Sequence, residues 1–298
     1  MTREITTTVV DGMTFTECPR WYDDRLWFVD FYTHRVLSCT EDGGDLRTEA
    51  EVPQQPSGLG RLPDGRLLVV SMRDARILRR EPDGSLVTHA ELSAHVGGHL
   101  NDMVVDARGR AFVGNFGFDL MSGAPIATAT LLRVDPDGTV TPVADDMWFA
   151  NGSVLTDDGT LLVDETFGNR VSAFDVADDG SLTNRRVWAR FGDLPADRDL
   201  EKALPALAVA PDGCCLDAEG ALWIADGVGE RLLRVREGGE IVEEIGTGTG
   251  VYACMLGGAD GRTLYACLAP DFLEHNRRDA REGSIAAIRV DVPRAGLP

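Results

Sequence analysis

The chain has 298 residues, enough for one large or two ordinary domains, and 43% of them are hydrophobic, which suffices for a substantial buried core. Its formal charge of −20, from 49 acidic against 29 basic residues, repels phosphate backbones and anionic lipid, so no nucleic acid and no membrane surface is expected as a partner, whereas a divalent cation suits it. No run approaches the roughly 18 apolar residues that cross a bilayer, and Met1 to Val10 is polar and threonine-rich, so a soluble, cytoplasmic protein without a signal peptide is expected.

In chain order, the first predicted element is the extended segment EITTTVV (4 to 10), followed by YDDRLWFVDFYTHRVLSCTEDGGDL (22 to 46). This second stretch introduces a phrase that recurs: an Asp-Gly turn, a short apolar strand, a second strand with Arg, and another Asp-Gly turn. The phrase returns at 62 to 86, at 105 to 117 with 129 to 143, at 155 to 182, at 216 to 245, and at 258 to 270 with 283 to 292, making six units. Asp-Gly and Gly-Gly pairs between alternating apolar runs are hairpin signals, because tight turns need positive φ. Short strands with such turns at a period of roughly 40 to 50 residues, and no long amphipathic helix, predict radially repeated antiparallel sheets. The expected fold is all-β, a six-bladed β-propeller occupying 1–298 as a single domain, with residues 4 to 10 closing the ring against the last blade. Two stretches exceed simple turns: 116 to 128, and 191 to 210 with a short helix around Asp199 to Leu204. At least one is expected to cover a site.

Polar residues that enter a propeller's channel converge even when far apart in sequence. Four positions lie at the start of apolar inner strands: Glu17 in TECPRW, Asn101 in HLNDMVVD, Asn151 in FANGSVLTDDG and Asp212 in APDGCCLDAEG. Their two carboxylates and two carboxamides are oxygen donors that suit a hard cation. All four are expected just ahead of their strands, although Asn-Gly and Pro-Asp-Gly are also ordinary turn sequences. Yet Asp212 precedes a strand pair that carries its own turn at Asp217 to Gly220, so that blade holds one Asp more than its hairpin needs. Glutamate has no comparable structural reason to stand at Glu17. Of Asn101 and Asp102, one could equally cap a turn. Phe116, Phe118, Trp148, Phe149 and Phe167 flank inner strands and read either as an apolar pocket wall or as core.

At these residues the sequence resembles the SMP-30/gluconolactonase/LRE family, which includes regucalcin. The phrases that carry the resemblance include TECPRW (16 to 21), PSGLGRLPDGRLLV (56 to 69), HLNDMVVDARGRAFVG (99 to 114), NGSVLTDDGTLLVDE (151 to 165) and PDGCCLDAEGALWIAD (211 to 226). The resemblance implies six blades around a divalent cation held by Glu17, Asn151 and Asp212, with Asn101 contacting substrate. Ca²⁺ is the expected ion, with Mg²⁺, Mn²⁺ and Zn²⁺ as alternatives. It also implies a metal-dependent lactonase in which Asp212 orients or deprotonates water during opening of a small-molecule lactone or ester. Where sugar-lactonase members often carry an arginine, this chain has His99, which cannot make a guanidinium's forked contacts and reads as a proton carrier or a passive wall residue.

Other chemistries find less support. No G-x-S-x-G elbow and no H-E-x-x-H occurs, and Lys202 is the single lysine. The six cysteines lack a C-x-x-C spacing and are expected to be reduced. Two rivals remain: a phosphotriesterase-like hydrolase on the same metal site, and a non-catalytic, metal-stabilised binding propeller.

Overall fold

The predicted hairpins close on left-handed glycines. At Gly65 (φ +87°) and Gly159 (φ +83°) the backbone turns back into the next strand, and the Gly N–H donates to Leu62 O at 2.9 Å and to Thr156 O at 3.0 Å. In the computed structural model, which describes residues 3–296, these turns organise six sheets around one channel.

The first blade runs Thr16–Tyr22, Arg25–Asp30, Arg35–Cys39 and Arg47–Glu51, from the channel outward. The second to fifth repeat this antiparallel meander, with innermost strands Pro56–Arg61, Leu100–Val105, Ala150–Leu155 and Pro211–Leu216. The sixth takes three strands from the C-terminal part, Val251–Gly257, Thr263–Leu268 and Gly283–Arg289, and its outer strand, Thr7–Met13, from the start of the chain. Thr7 pairs with Ala287 and Met13 with Gly283, so the ring closes by hydrogen bonds between its two ends and covers an otherwise open edge. Residues 7 to 10 thus pair as predicted. Glu4 does not: Arg3–Glu4 runs parallel to the outer strand of the fifth blade, opposite Ile245 and Gly246.

Each innermost strand packs against those of its two neighbours, and the approach is close. A Cβ on Gly152 would lie 2.4 Å from Asp212 O, so only glycine lets the fourth and fifth blades meet there. Between blades the space is filled by large apolar side chains; Trp21 and Tyr265 stack at 5.8 Å between the first and sixth. All six cysteines are buried and unbridged.

Three excursions gather at one end of the channel. Segment 116–128 holds a single 3₁₀ turn, Leu120–Ser122, and segment 191–210 holds the helix Leu200–Ala203, whose N-cap Asp199 accepts from Glu201 N. Ile126 N donates to Arg198 O at 2.8 Å, tying the two together. The third, 269–282 with the helix Glu274–Arg277, lacks a sequence signal and falls inside the last repeat. Among the described residues no helix is long and apolar enough to cross a membrane.

Candidate active site

Every innermost strand slips register near its start. The pairing shifts after Glu17, Pro56, Leu100, Ala150, Pro211 and Val251, leaving a bulge in each blade. Bulges re-aim side chains, and here they place Glu17, Ser57, Asn101, Asn151, Asp212 and Tyr252 at corresponding points around the ring. The four sequence-predicted oxygen donors therefore lie within the inner strands, at their second position, and not ahead of them as expected. Pro211-Asp212-Gly213 is strand, whereas the same triplet at 63–65, 82–84 and 136–138 belongs to the turns.

Glu17, Asn101, Asn151, Asp212 and His99 all line one pocket at the end of the channel where the excursions meet. Burial, reinforced by the Asp212 charge, raises the proton affinity of Glu17 well above that of an ordinary carboxylate, although Cys18 N donates to its Oε2 at 2.7 Å. Burial likewise raises Asp212, with a hydrogen bond from Asn151 acting in the opposite direction. Neither carboxylate forms an ion pair among the described residues. Asp102 is the contrasting case. It turns out of the pocket, takes Arg20 at 2.8 and 2.9 Å, and accepts from Cys18 Sγ and from Met103 N. It therefore serves the strand junction, and its neighbour Asn101 faces the pocket.

Asn151 is oriented by a residue that the sequence did not single out. Its Nδ2 donates to Thr166 Oγ1 at 3.0 Å, and that hydroxyl donates on to Pro211 O at 2.8 Å. The chain Asn151, Thr166, Pro211 couples the fourth blade to the strand that carries Asp212, and with the Asn151 amide hydrogens directed to Thr166 and Asp212, its carbonyl oxygen is left free.

Of the five predicted aromatic residues, Phe116, Phe149 and Phe167 line the pocket, with ring centroids 4.4 Å apart for Phe116 and Phe149 and 5.7 Å for Phe149 and Phe167. Phe118 packs behind Phe167, and Trp148 lies beneath the Arg198 guanidinium at 4.0 Å; neither reaches the pocket. Phe15, Phe31 and Phe272 join the wall instead. His99 sits 5.8 Å from the Phe116 ring, and burial followed by the Arg73 charge lowers its proton affinity, so it is a neutral imidazole at ordinary pH.

Residues 15–269 match the family described as SMP-30/Gluconolactonase/LRE-like region. The chain belongs to this family. The match begins two residues before Glu17 and includes Glu17, His99, Asn101, Asn151 and Asp212. Regucalcin of Danio rerio is 27% identical over 262 residues, covering 84% of this chain and 81% of its own. A 6-deoxy-6-sulfogluconolactonase of Pseudomonas putida is 26% identical over 298 residues, covering 95% and 93%. Among solved structures, a calcium-binding regucalcin from Agrobacterium tumefaciens superposes with a TM-score of 0.78 at 20% identity, covering 100% and 98%, a likeness of fold.

Among the described residues no three His, Cys, Asp or Glu side chains gather as a metal cluster. The pocket offers instead two partly buried carboxylates and two carboxamides. Two interacting, partly buried carboxylates without an ion-pair partner favour either a shared proton or a cation between them, and the all-oxygen set is of the kind that hard cations take. The residues present fit such an ion.

Proposed function

We propose that this protein is a divalent-cation-dependent lactonase that opens a cyclic ester by attack of water. The observation that carries the proposal is the convergence of Glu17, Asn151 and Asp212, two uncompensated carboxylates and an oriented carboxamide, at the floor of a largely apolar pocket. Lactonase relatives support the same chemistry. Glu17, Asn151 and Asp212 would hold the cation, Ca²⁺ first among the candidates. When bound, it supplies Lewis-acid polarisation of the lactone carbonyl and stabilises the charge that develops on its oxygen.

The chain's own residues do the rest. Asp212 accepts a proton from the attacking water as its oxygen bonds to the carbonyl carbon. As the ring C–O bond breaks, the same proton passes to the departing alkoxide oxygen, and a hydroxy acid leaves. Asn101 holds the ring oxygen by its amide N–H, and Thr166 keeps Asn151 in register. The aromatic wall excludes bulk water, which strengthens each polar contact at the floor.

Proton release from a lactone panel tests this reading, before and after EDTA treatment and with Ca²⁺, Mg²⁺, Mn²⁺ and Zn²⁺ restored separately. Turnover that disappears with chelation and returns with a cation is the expected result. A folded, metal-loaded protein that opens no lactone overturns the proposal, and turnover of phosphotriesters in its place would move the same floor to the rival hydrolysis.

A further inference from the structure

We propose that the ring taken by this pocket is apolar and flat, an aryl-fused or alkyl-substituted lactone, and not a polyhydroxylated sugar lactone; this deepens the lactonase reading and rests on it. The wall is built from two opposite sides of the ring of blades. Phe116, Phe149 and Phe167 come from the third and fourth blades, and Phe15, Phe31 and Phe272 from the first and sixth. A planar ring entering between them meets π-faces and edges on both sides.

Apart from His99, the polar side chains of the rim already hydrogen-bond within the protein. Gln55 donates to Met72 Sδ at 3.1 Å and accepts from Arg73 Nε at 2.8 Å. Arg73 also pairs with Glu274 Oε2 at 2.8 Å, and Tyr32 donates its hydroxyl to Phe272 O at 2.8 Å. Thr166 is used by Asn151 and Pro211. His99 packs against Phe116. A sugar lactone would carry several hydroxyls past this rim, where among the described residues His99 is the one polar side chain left without a hydrogen-bond partner, and each unpartnered hydroxyl costs binding. An apolar ring has no such groups, and every contact with the wall removes apolar surface from water.

The backbone of Phe149 supports the assignment independently. It holds φ +63°, a left-handed conformation that a bulky side chain rarely takes, immediately before the strand of Asn151. Strain of this kind persists where the surroundings demand a particular side-chain direction, and here that direction carries the ring into the pocket.

The test pairs turnover with binding. With cation restored, kcat/KM for dihydrocoumarin is expected to exceed that for gluconolactone by about 100-fold. Calorimetry with the two non-hydrolysable amides, dihydrocarbostyril and gluconolactam, is expected to show the former binding tighter, with Phe149→Ala weakening it by about tenfold and the milder Phe149→Leu by less. Preference for gluconolactone, or tighter binding of gluconolactam, overturns the proposal while leaving the lactonase reading intact. Failure of both amides to bind also overturns it. If dihydrocarbostyril binds tighter and loses affinity in Phe149→Ala while no lactone is opened, the apolar ring site stands and the lactonase reading falls.

Discussion

The Asp212 charge raises the proton affinity of Glu17 from the corresponding bulge of a blade two positions around the ring. Two acids that hinder each other's ionisation in a buried site are stable together when they share a proton or a cation. The pair therefore gives the pocket its chemical character.

Replacing either acid by its amide separates binding from catalysis. Glu17→Gln is expected to weaken Ca²⁺ binding, read by calorimetry, while preserving the fold. Asp212→Asn should lower kcat by about 10²–10⁴-fold, because it removes both a ligand and the proton acceptor. Full activity in Asp212→Asn would remove this residue from the mechanism.

Thr166→Val keeps the shape of the side chain but deletes the hydroxyl between Asn151 and Pro211. Cation affinity should fall by about 10–100-fold, as is common when the partner that orients a ligand is lost. Thr166→Ser should restore most of it. If Val and Ser variants bind the cation equally well, the hydroxyl does not position Asn151.

Asp164 is fully buried, neither carboxyl oxygen has a hydrogen-bond partner of good geometry, and the Cys214 thiol is its polar neighbour. The corresponding positions of the first two blades are Val29 and Val70. Burial holds its proton affinity well above the ordinary carboxylate range. The folded state therefore binds a proton more tightly than the unfolded state, and stability is lost as pH rises from the ordinary carboxylate value through the raised one. Asp164→Val should stabilise the protein by about 1–2 kcal/mol at neutral pH and flatten that dependence. Urea denaturation of both proteins at mildly acidic and mildly alkaline pH checks it; a less stable Val variant would reveal a polar partner for Asp164.

Glu165, next in sequence, behaves in the opposite sense. Burial opposes its charge, but Arg170 at two 2.9 Å contacts, Ser172 and Trp148 N outweigh burial and hold its proton affinity below the ordinary value. Its contribution is present above the unfolded-state value and disappears as pH falls through the depressed one. Because Arg170 is partly exposed, Glu165→Gln should cost about 2–4 kcal/mol at neutral pH, less at acid pH. Thermal unfolding of both proteins across that range checks it, and an unchanged stability would refute the assignment.

Much of the architecture is legible in the sequence because it is encoded locally. Asp-Gly turns and alternating apolar strands need only neighbours a few residues apart, so six repeats announce six blades. Glu17 and the surplus Asp212 were visible for the same reason: each violates the local logic of its own repeat. Thr166 left no such mark, since a threonine after a strand is unremarkable until Asn151 and Pro211 are brought to it. Phe118 and Trp148 could not be separated from Phe116 and Phe149 by pattern, because which side chain points into the channel depends on bulges and on left-handed residues such as Phe149. Arg3–Glu4 pairs with the outer strand of the fifth blade, about 240 residues away, a contact that no local signal marks. By itself, then, the sequence determined the repeat, its turns and the acids that interrupt it. Only the tertiary structure decided which polar groups spend their hydrogen bonds on one another and which remain free to face a ligand, since that balance arises when strands far apart in the chain meet around one axis.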